Sequence, residues 1–298
     1  MLTLIHARRS STLMFQRVGL IAKTGDARIP DTLHTLLSFL ERRCLEVFLD
    51  KSCAQLLTAP HLTVTETFVG YPIDLVIAIG GDGTLLRAAH QISNHKVRLL
   101  GINVGHLGFL TDISPEEIPD RLDAIFDGQF VEEERMLLQS HVLRAGETLY
   151  AQDAVNDVLV HKWNIGRLIT LDIYVNEQFV HRQRSDGIIV ATPTGSTAYA
   201  LSCGGPILHP AIDALALVPL CPHTLSNRPI VLNGNSRLEI VVGTREAGQA
   251  RLTCDGEIGC ELIPTDRVVV EKAGRAIRLV HPEGHDHFAT LRAKLQWG

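Results

Sequence analysis

The sequence predicts an α/β N-terminal domain built on a doubly wound parallel sheet, followed by a β-rich C-terminal domain. Two observations predict this. Up to about residue 135, strand-length apolar runs alternate with segments of helical period, the pattern of a parallel sheet with crossover helices. Beyond it, short strand-like runs follow one another across hairpin-type turns, until 287–297 returns to helical spacing. The expected division is 1–16 as an extension, 17–135 as the α/β domain, 136–280 as the β-rich domain, and 281–298 as a tail returning to the first.

The elements follow in order. Residues 1–16 carry Arg8, Arg9, Ser10, Ser11 and Thr12 and no acid. They lack a clear cleavage signal and read as a disordered extension, with Met14 as an alternative start. Residues 17–22 form a strand ending at Lys23-Thr24-Gly25, and Asp31 caps a helix through Arg43 with Leu33, Leu36, Leu37 and Leu40 on one face. Strands follow at 44–49, 73–79 and 97–104, with a helix over 85–92. Ser114-Pro115-Glu116-Glu117 is a capping box with Pro at the first helical position, so a helix runs to about Phe126. In the second half, strands are expected at 136–143, 148–154, 158–162, 168–175, 178–183, 238–242, 250–254, 267–272 and 276–281. Ala145-Gly146 and Asn176-Glu177 are the expected hairpin turns.

Composition narrows the function. The chain has 298 residues, 45% hydrophobic and 20% charged, with net charge −5. That describes a soluble two-domain protein without the basic face of a nucleic-acid binder. The longest apolar runs, 188–191 and 214–220, are too short to span a bilayer. The six cysteines form neither Cys-x-x-Cys nor a zinc spacing with His, so reduced thiols in a cytoplasmic protein and no protein-borne metal site are expected.

The densest chemical signal is Gly80-Gly81-Asp82-Gly83-Thr84, between a buried strand and a helix. Glycine permits positive φ and close backbone approach. N–H groups before a helix N-terminus make an anion site suited to phosphate, so Gly80, Gly81, Gly83 and Thr84 read as a phosphate loop. A carboxylate there repels such a ligand, which assigns Asp82 to proton or metal chemistry. The loop matches neither a P-loop nor a full dinucleotide fingerprint.

The second dense segment runs from Ser185-Asp186-Gly187 through Thr192-Pro193-Thr194-Gly195-Ser196-Thr197-Ala198-Tyr199 to Gly204-Gly205-Pro206. A strand leads into a turn rich in hydroxyls and glycine, offering donors to phosphate or ribose. Tyr199 adds a flat ring with a polar tip.

At these segments the chain resembles the NAD kinase family, bacterial type. The Gly-Gly-Asp-Gly-Thr loop, Gly101-Ile102-Asn103-Val104-Gly105-His106-Leu107-Gly108-Phe109-Leu110, the pair Asn156-Asp157, and the run from Thr192 through Leu208-His209-Pro210 are similar to family motifs in order and spacing, from about Arg17 onward. The resemblance implies a fold of the NAD kinase and diacylglycerol kinase type. It also implies ATP-dependent phosphorylation of the 2′-hydroxyl of the adenosine ribose of NAD, giving NADP, and a homo-oligomer, dimer or tetramer.

By that likeness Asp82 is the catalytic base and Gly83 lies beside the ribose. Asn156 and Asp157 bind adenosine groups. Asp186, Thr197, Ala198, Tyr199, Ala200, Leu201 and Ser202 hold the dinucleotide. Arg167, Arg184 and Glu257 lie near the ligand or a neighbouring subunit. Arg87, just past one helical turn from Asp82, meets a phosphate or is a solvated helix arginine. Mg²⁺ rides on the donor's phosphates. Many relatives have Asn-Glu where this chain has Asn156-Asp157, and Asp-Gly-Gln where it has Asp255-Gly256-Glu257. The alternatives are a lipid kinase of the diacylglycerol type and a non-catalytic NAD-binding regulator.

Overall fold

The computed structural model describes residues 14–57, 61–92, 96–164, 167–224, 226–244 and 250–297. The chain divides into two compact units, Met1–Glu133 with Leu279–Gly298, and Glu134–Arg278.

The first unit is the expected α/β domain. Its elements are β1 Arg17–Ala22, α1 Ile29–Arg42, β2 Glu46–Asp50, α2 Lys51–Ala54, β3 Thr63–Thr65, β4 Leu75–Gly80, α3 Asp82–Gln91, β5 Arg98–Asn103 and α4 Ile118–Phe126. The five strands pair in parallel in the order β3-β2-β1-β4-β5. β1 and β4 are buried almost throughout, so they read as unbroken apolar runs. The order reverses between β1 and β4, and ligands of such sheets bind beyond the strand ends at that point. Gly80 and Asp82 lie there.

Several boundaries differ from expectation. α1 begins before Asp31, with Pro30 in its first turn, so Asp31 favours the helix dipole from inside instead of capping it. Its leucines are buried as the periodicity requires. β2 starts at Glu46 because Cys44 turns with φ 56°, a left-handed conformation that breaks a strand. The Ser114–Glu117 capping box forms, and a 3₁₀ turn precedes α4. Phe15, inside the expected extension, is fully buried; its ring meets Phe126 edge-on at 5.6 Å. The fold therefore begins by Phe15, and the rest of the extension, 1–13, lies outside the described residues.

The second unit is β-rich. Its strands are β6 Phe130–Arg144, which begins in the first unit, then β7 Glu147–Ala154, β8 Asp157–Lys162, β9 Ile169–Val175, β10 Gln178–Ser185, β11 Gly187–Ala191, β12 Ala214–Leu220, β13 Ile230–Asn233, β14 Leu238–Val242, β15 Ala250–Cys254, β16 Glu257–Leu262 and β17 Arg267–Pro282. A 3₁₀ turn, Gly195–Thr197, and a single helical turn, α5 Tyr199–Ser202, lie between β11 and β12. Six strands form an antiparallel sheet in the order β13-β12-β11-β8-β15-β16. Val158, Val160, Ile188 and Val190 from that sheet share one core with Ile169, Leu171 and Ile173 of β9 and Ile240 of β14.

Ala145-Gly146 and Asn176-Glu177 both carry paired positive φ values, 52° and 88°, then 48° and 66°, as tight hairpin turns require. Where the sequence predicts two strands over 267–281, β17 is continuous, because Ala273-Gly274 keeps extended geometry. Its last residues return to the first unit, where Val280 joins the core. α6 His287–Leu295 follows, capped by Asp286 accepting from the Phe288 N–H.

Candidate active site

In the first unit the Gly-Gly-Asp-Gly loop is tighter than expected. α3 begins at Asp82 itself, with Gly81 as an extended N-cap. Of the glycines there, only Gly80 takes positive φ, 156°, and a Cβ on it would meet Thr84 Oγ1 at 2.4 Å. Positions 81 and 83 have open space where a Cβ would stand. Asp82 sits in the first helical turn, where the macrodipole favours a negative charge. Its oxygens are held by the loop after β5. Phe109 N–H donates to Oδ2 at 2.8 Å, while Leu110 N–H and the Thr111 hydroxyl donate to Oδ1 at 3.0 and 3.3 Å. The carboxylate is thus fixed in orientation by the chain's own donors.

The second unit holds a cavity of about 500 Å³ lined by Asn156, Asp157, Leu159, His161, Ala198, Tyr199, Arg251, Thr253, Asp255, Gly256 and Ile258. One carboxylate shapes it. Asp255 accepts from the N–H groups of Val155, at 2.7 Å, and of Asn156 and Asp157, at 2.7 and 3.1 Å. Asp255-Gly256 is the β15–β16 hairpin turn, with φ values of 50° and 80°. Behind Asn156 runs the hydroxyl-rich turn: Thr192 Oγ1 donates to Val155 O at 2.6 Å, and Gly195 lies so close that a Cβ would meet Asn156 O at 2.0 Å. Burial, then the charge of Asp255, pushes the Asp157 carboxyl up to about 7. Burial lowers the pKa of His161, whose Nδ1 lies 2.7 Å from Lys162 O. Tyr199 is 46% exposed, its ring available to a flat ligand.

A model described as the ATP-NAD kinase N-terminal domain matches residues 18–130, and one described as the ATP-NAD kinase C-terminal domain matches 155–282. A curated protein of Pseudomonas putida strain W619 named NAD kinase is 46% identical over 285 residues, 95% of this chain and 96% of its own. The chain belongs to the NAD kinase family. The NAD kinase of Teredinibacter turnerae is 45% identical over 284 residues, 95% of this chain and 97% of its own. Among solved structures, yeast NADH kinase complexed with NADH superposes with a TM-score of 0.84 at 25% identity, covering 96% of this chain and 89% of its own. An NAD kinase from Archaeoglobus fulgidus in complex with ATP shares the fold, with a TM-score of 0.71 at 24% identity, over 93% of this chain and 99% of that one. These likenesses to NAD kinases give the lipid-kinase alternative no support, and among the described residues no helix is long and apolar enough to cross a membrane.

The residues that the family resemblance implies fall into distinct settings. Asn156, Asp157, Ala198 and Tyr199 share the cavity wall. Thr197 and Leu201 are partly buried and Ser202 is exposed, but Ala200 is fully buried in a small apolar cluster, so its side chain serves packing. Asp186 pairs with Lys162. Arg167 and Glu257 are exposed, and Arg184 lines a separate hollow with Thr170, Asp172 and Arg182. Arg87 donates to Ala22 O at 2.6 Å and to Ser52 Oγ at 3.1 Å, with Asp50 at 3.7 Å, so its guanidinium ties β1 to the start of α2. Residue-type patterns single out neither His161 and Arg251 nor the clamp made by Asp255. The sequence shows no metal spacing, yet the fold brings Asp112, His281 and His285 together.

Proposed function

We propose that this protein transfers the γ-phosphoryl group of ATP to the 2′-hydroxyl of the adenosine ribose of NAD, giving NADP and ADP. The observation that carries the mechanism is the held carboxylate of Asp82 at the switch point of the parallel sheet. Oδ1 accepts two hydrogen bonds and Oδ2 one, so Oδ2 retains more capacity for a hydroxyl proton. As the ribose oxygen bonds to the γ-phosphorus, that oxygen's proton passes to Oδ2, and the bond to the bridging oxygen of ADP breaks. Such a transfer asks the protein mainly for position and for charge stabilisation.

The cavity of the second unit is the reading for the dinucleotide. The Asn156 amide offers donor and acceptor together, Asp157 offers a carboxyl, and Tyr199 offers a ring face. Arg87, occupied within its own unit, is left to a structural task. A divalent cation would be held chiefly by ATP's phosphates, where it would neutralise charge. Mg²⁺, a homo-oligomer and a cytoplasmic setting complete the reading. The test is incubation with NAD, ATP and Mg²⁺: NADP must form, and its absence under conditions where NAD binds would leave the regulator alternative standing.

A further inference from the structure

We propose that Asp112, clamped by His281 and His285, is a positioning residue for Asp82, fixing the loop whose donors hold that carboxylate. The inference rests on the reading of Asp82 as base.

The segment from Gly108 to Ile113 is pinned at nearly every residue. Phe109, Leu110 and Thr111 all donate to Asp82. Ile113 accepts from the Asn103 N–H at 2.7 Å and bridges in parallel to Ile102. Between these anchors lies Asp112. Its Oδ2 stands 2.9 Å from Nδ1 of His281 and 2.9 Å from Nδ1 of His285. The two rings stack with centroids 4.0 Å apart and planes 21° off parallel. His281 is 1% exposed, with a Glu133 oxygen 3.7 Å from its Nε2. Burial pushes the Asp112 carboxyl up, but the hydrogen bonds and charge of the two histidines outweigh it and hold the group at about 2. The ionised carboxylate makes the clamp a charge-assisted one. A second grip comes from α6, where Lys294 lies over the Phe109 ring at 5.3 Å.

The three ligand-type atoms lie within 4.8 Å of one another, as in a metal site. Both imidazole Nδ1 atoms lie at hydrogen-bond distance, 2.9 Å, from the one oxygen Asp112 Oδ2, so hydrogen bonds to a shared acceptor account for the contacts present.

Positioning matters because a general base misplaced by about 1 Å loses on the order of 10²-fold in rate. The experiment uses the full chain with Asp112→Asn, His285→Gln and His285→Phe, reading kcat, both KM values and melting temperature. Asp112→Asn is expected to lower kcat about 10- to 100-fold, with the KM for NAD and for ATP nearly unchanged. Added to Asp82→Asn it should cause no further loss, since it acts only through that residue. His285→Gln, which keeps a donor, should retain most of kcat; His285→Phe, which keeps only the stack, should fall with Asp112→Asn. A normal kcat in Asp112→Asn, or a loss that multiplies with that of Asp82→Asn, overturns the inference alone. So does a stoichiometric divalent metal that purifies with the protein and is lost in His285→Phe. A normal kcat in Asp82→Asn overturns the base reading and this inference together.

Discussion

Gly108 stands so close to Asp82 that a Cβ built on it would meet Oδ1 at 2.2 Å. The same Cβ would stand 2.3 Å from Thr111 Oγ1. A single methyl group at position 108 must therefore displace the carboxylate, its hydroxyl donor, or both. Gly108→Ala is expected to cut kcat by about 10²-fold or more, as for a base moved by about 1 Å, while the KM for NAD stays near its starting value. Steady-state kinetics on the purified variant checks this; a rise in KM alone would place the glycine in substrate binding instead.

Asp82→Asn keeps the shape and removes the carboxylate proposed as the base. Turnover should drop by about 10²–10⁴-fold, the range for a lost general base. The amide nitrogen replaces one of the two acceptor oxygens and sets its N–H groups against either the Phe109 or the Leu110 donor, so a modest loss of stability accompanies the kinetic one. NAD affinity, measured by calorimetry, should hold.

Asp157 predicts a pH dependence. Its folded carboxyl, near 7, lies above the ordinary value of 3.8, and burial is the main cause. Between these values the folded state binds more protons than the unfolded, so this residue's contribution to stability falls as pH rises from about 4 to about 7 and is flat above. The slope is at most about 1.4 kcal/mol per pH unit. Asp157→Asn should abolish this component. Urea midpoints of the ligand-free protein at pH 5, 6, 7 and 8 measure it, and parallel curves for the two proteins would refute the assignment.

Asp255 accepts three backbone N–H groups that shape the cavity wall. Asp255→Asn removes the charge and one acceptor oxygen. Hydrogen bonds to charged groups contribute about 1.5–3 kcal/mol each, so the KM for NAD should rise at least tenfold while the KM for ATP changes little. Equal rises in both would show that the clamp supports more than the cavity it shapes.

Phe15→Ala opens the core of the first unit where Phe15, Phe126 and Phe130 meet. The expected cost is about 3–5 kcal/mol, read as a lowered denaturation midpoint. An unchanged midpoint would mean that residues before Arg17 do not belong to the fold.

Much of this was legible because the signals are local. Buried parallel strands such as β4 announce themselves as apolar runs, and hairpins such as Asn176-Glu177 by turn residues that tolerate positive φ. Asp82 stood out as a charge among glycines. What escaped depends on distance along the chain. Asp255 clamps residues about a hundred positions earlier, and Asp112 meets partners 169 and 173 residues away. Short edge strands such as β3, β13 and β16 lack enough alternation to register. Phe15 was hidden by its basic, serine-rich neighbours, whose composition masks one buried ring. Ala200 lies in the run expected from the family resemblance to hold the dinucleotide, yet its own methyl faces a core.

The discontinuity of the first unit has a consequence for biosynthesis. Domains generally fold as they leave the ribosome, N-terminal part first. Here residues 14–133 emerge early, but Leu279–Gly298 completes their unit only after all of Glu134–Arg278 has been made. The ion pair of Arg278 with Glu134, 3.3 Å, brings the two ends of that later-made insert together. A nascent chain therefore has to close its insert before the partly built first unit can be finished. A chain released from the ribosome but truncated short of His281 should be able to form the cavity of the second unit while still missing the side chains that grip the Asp112 loop.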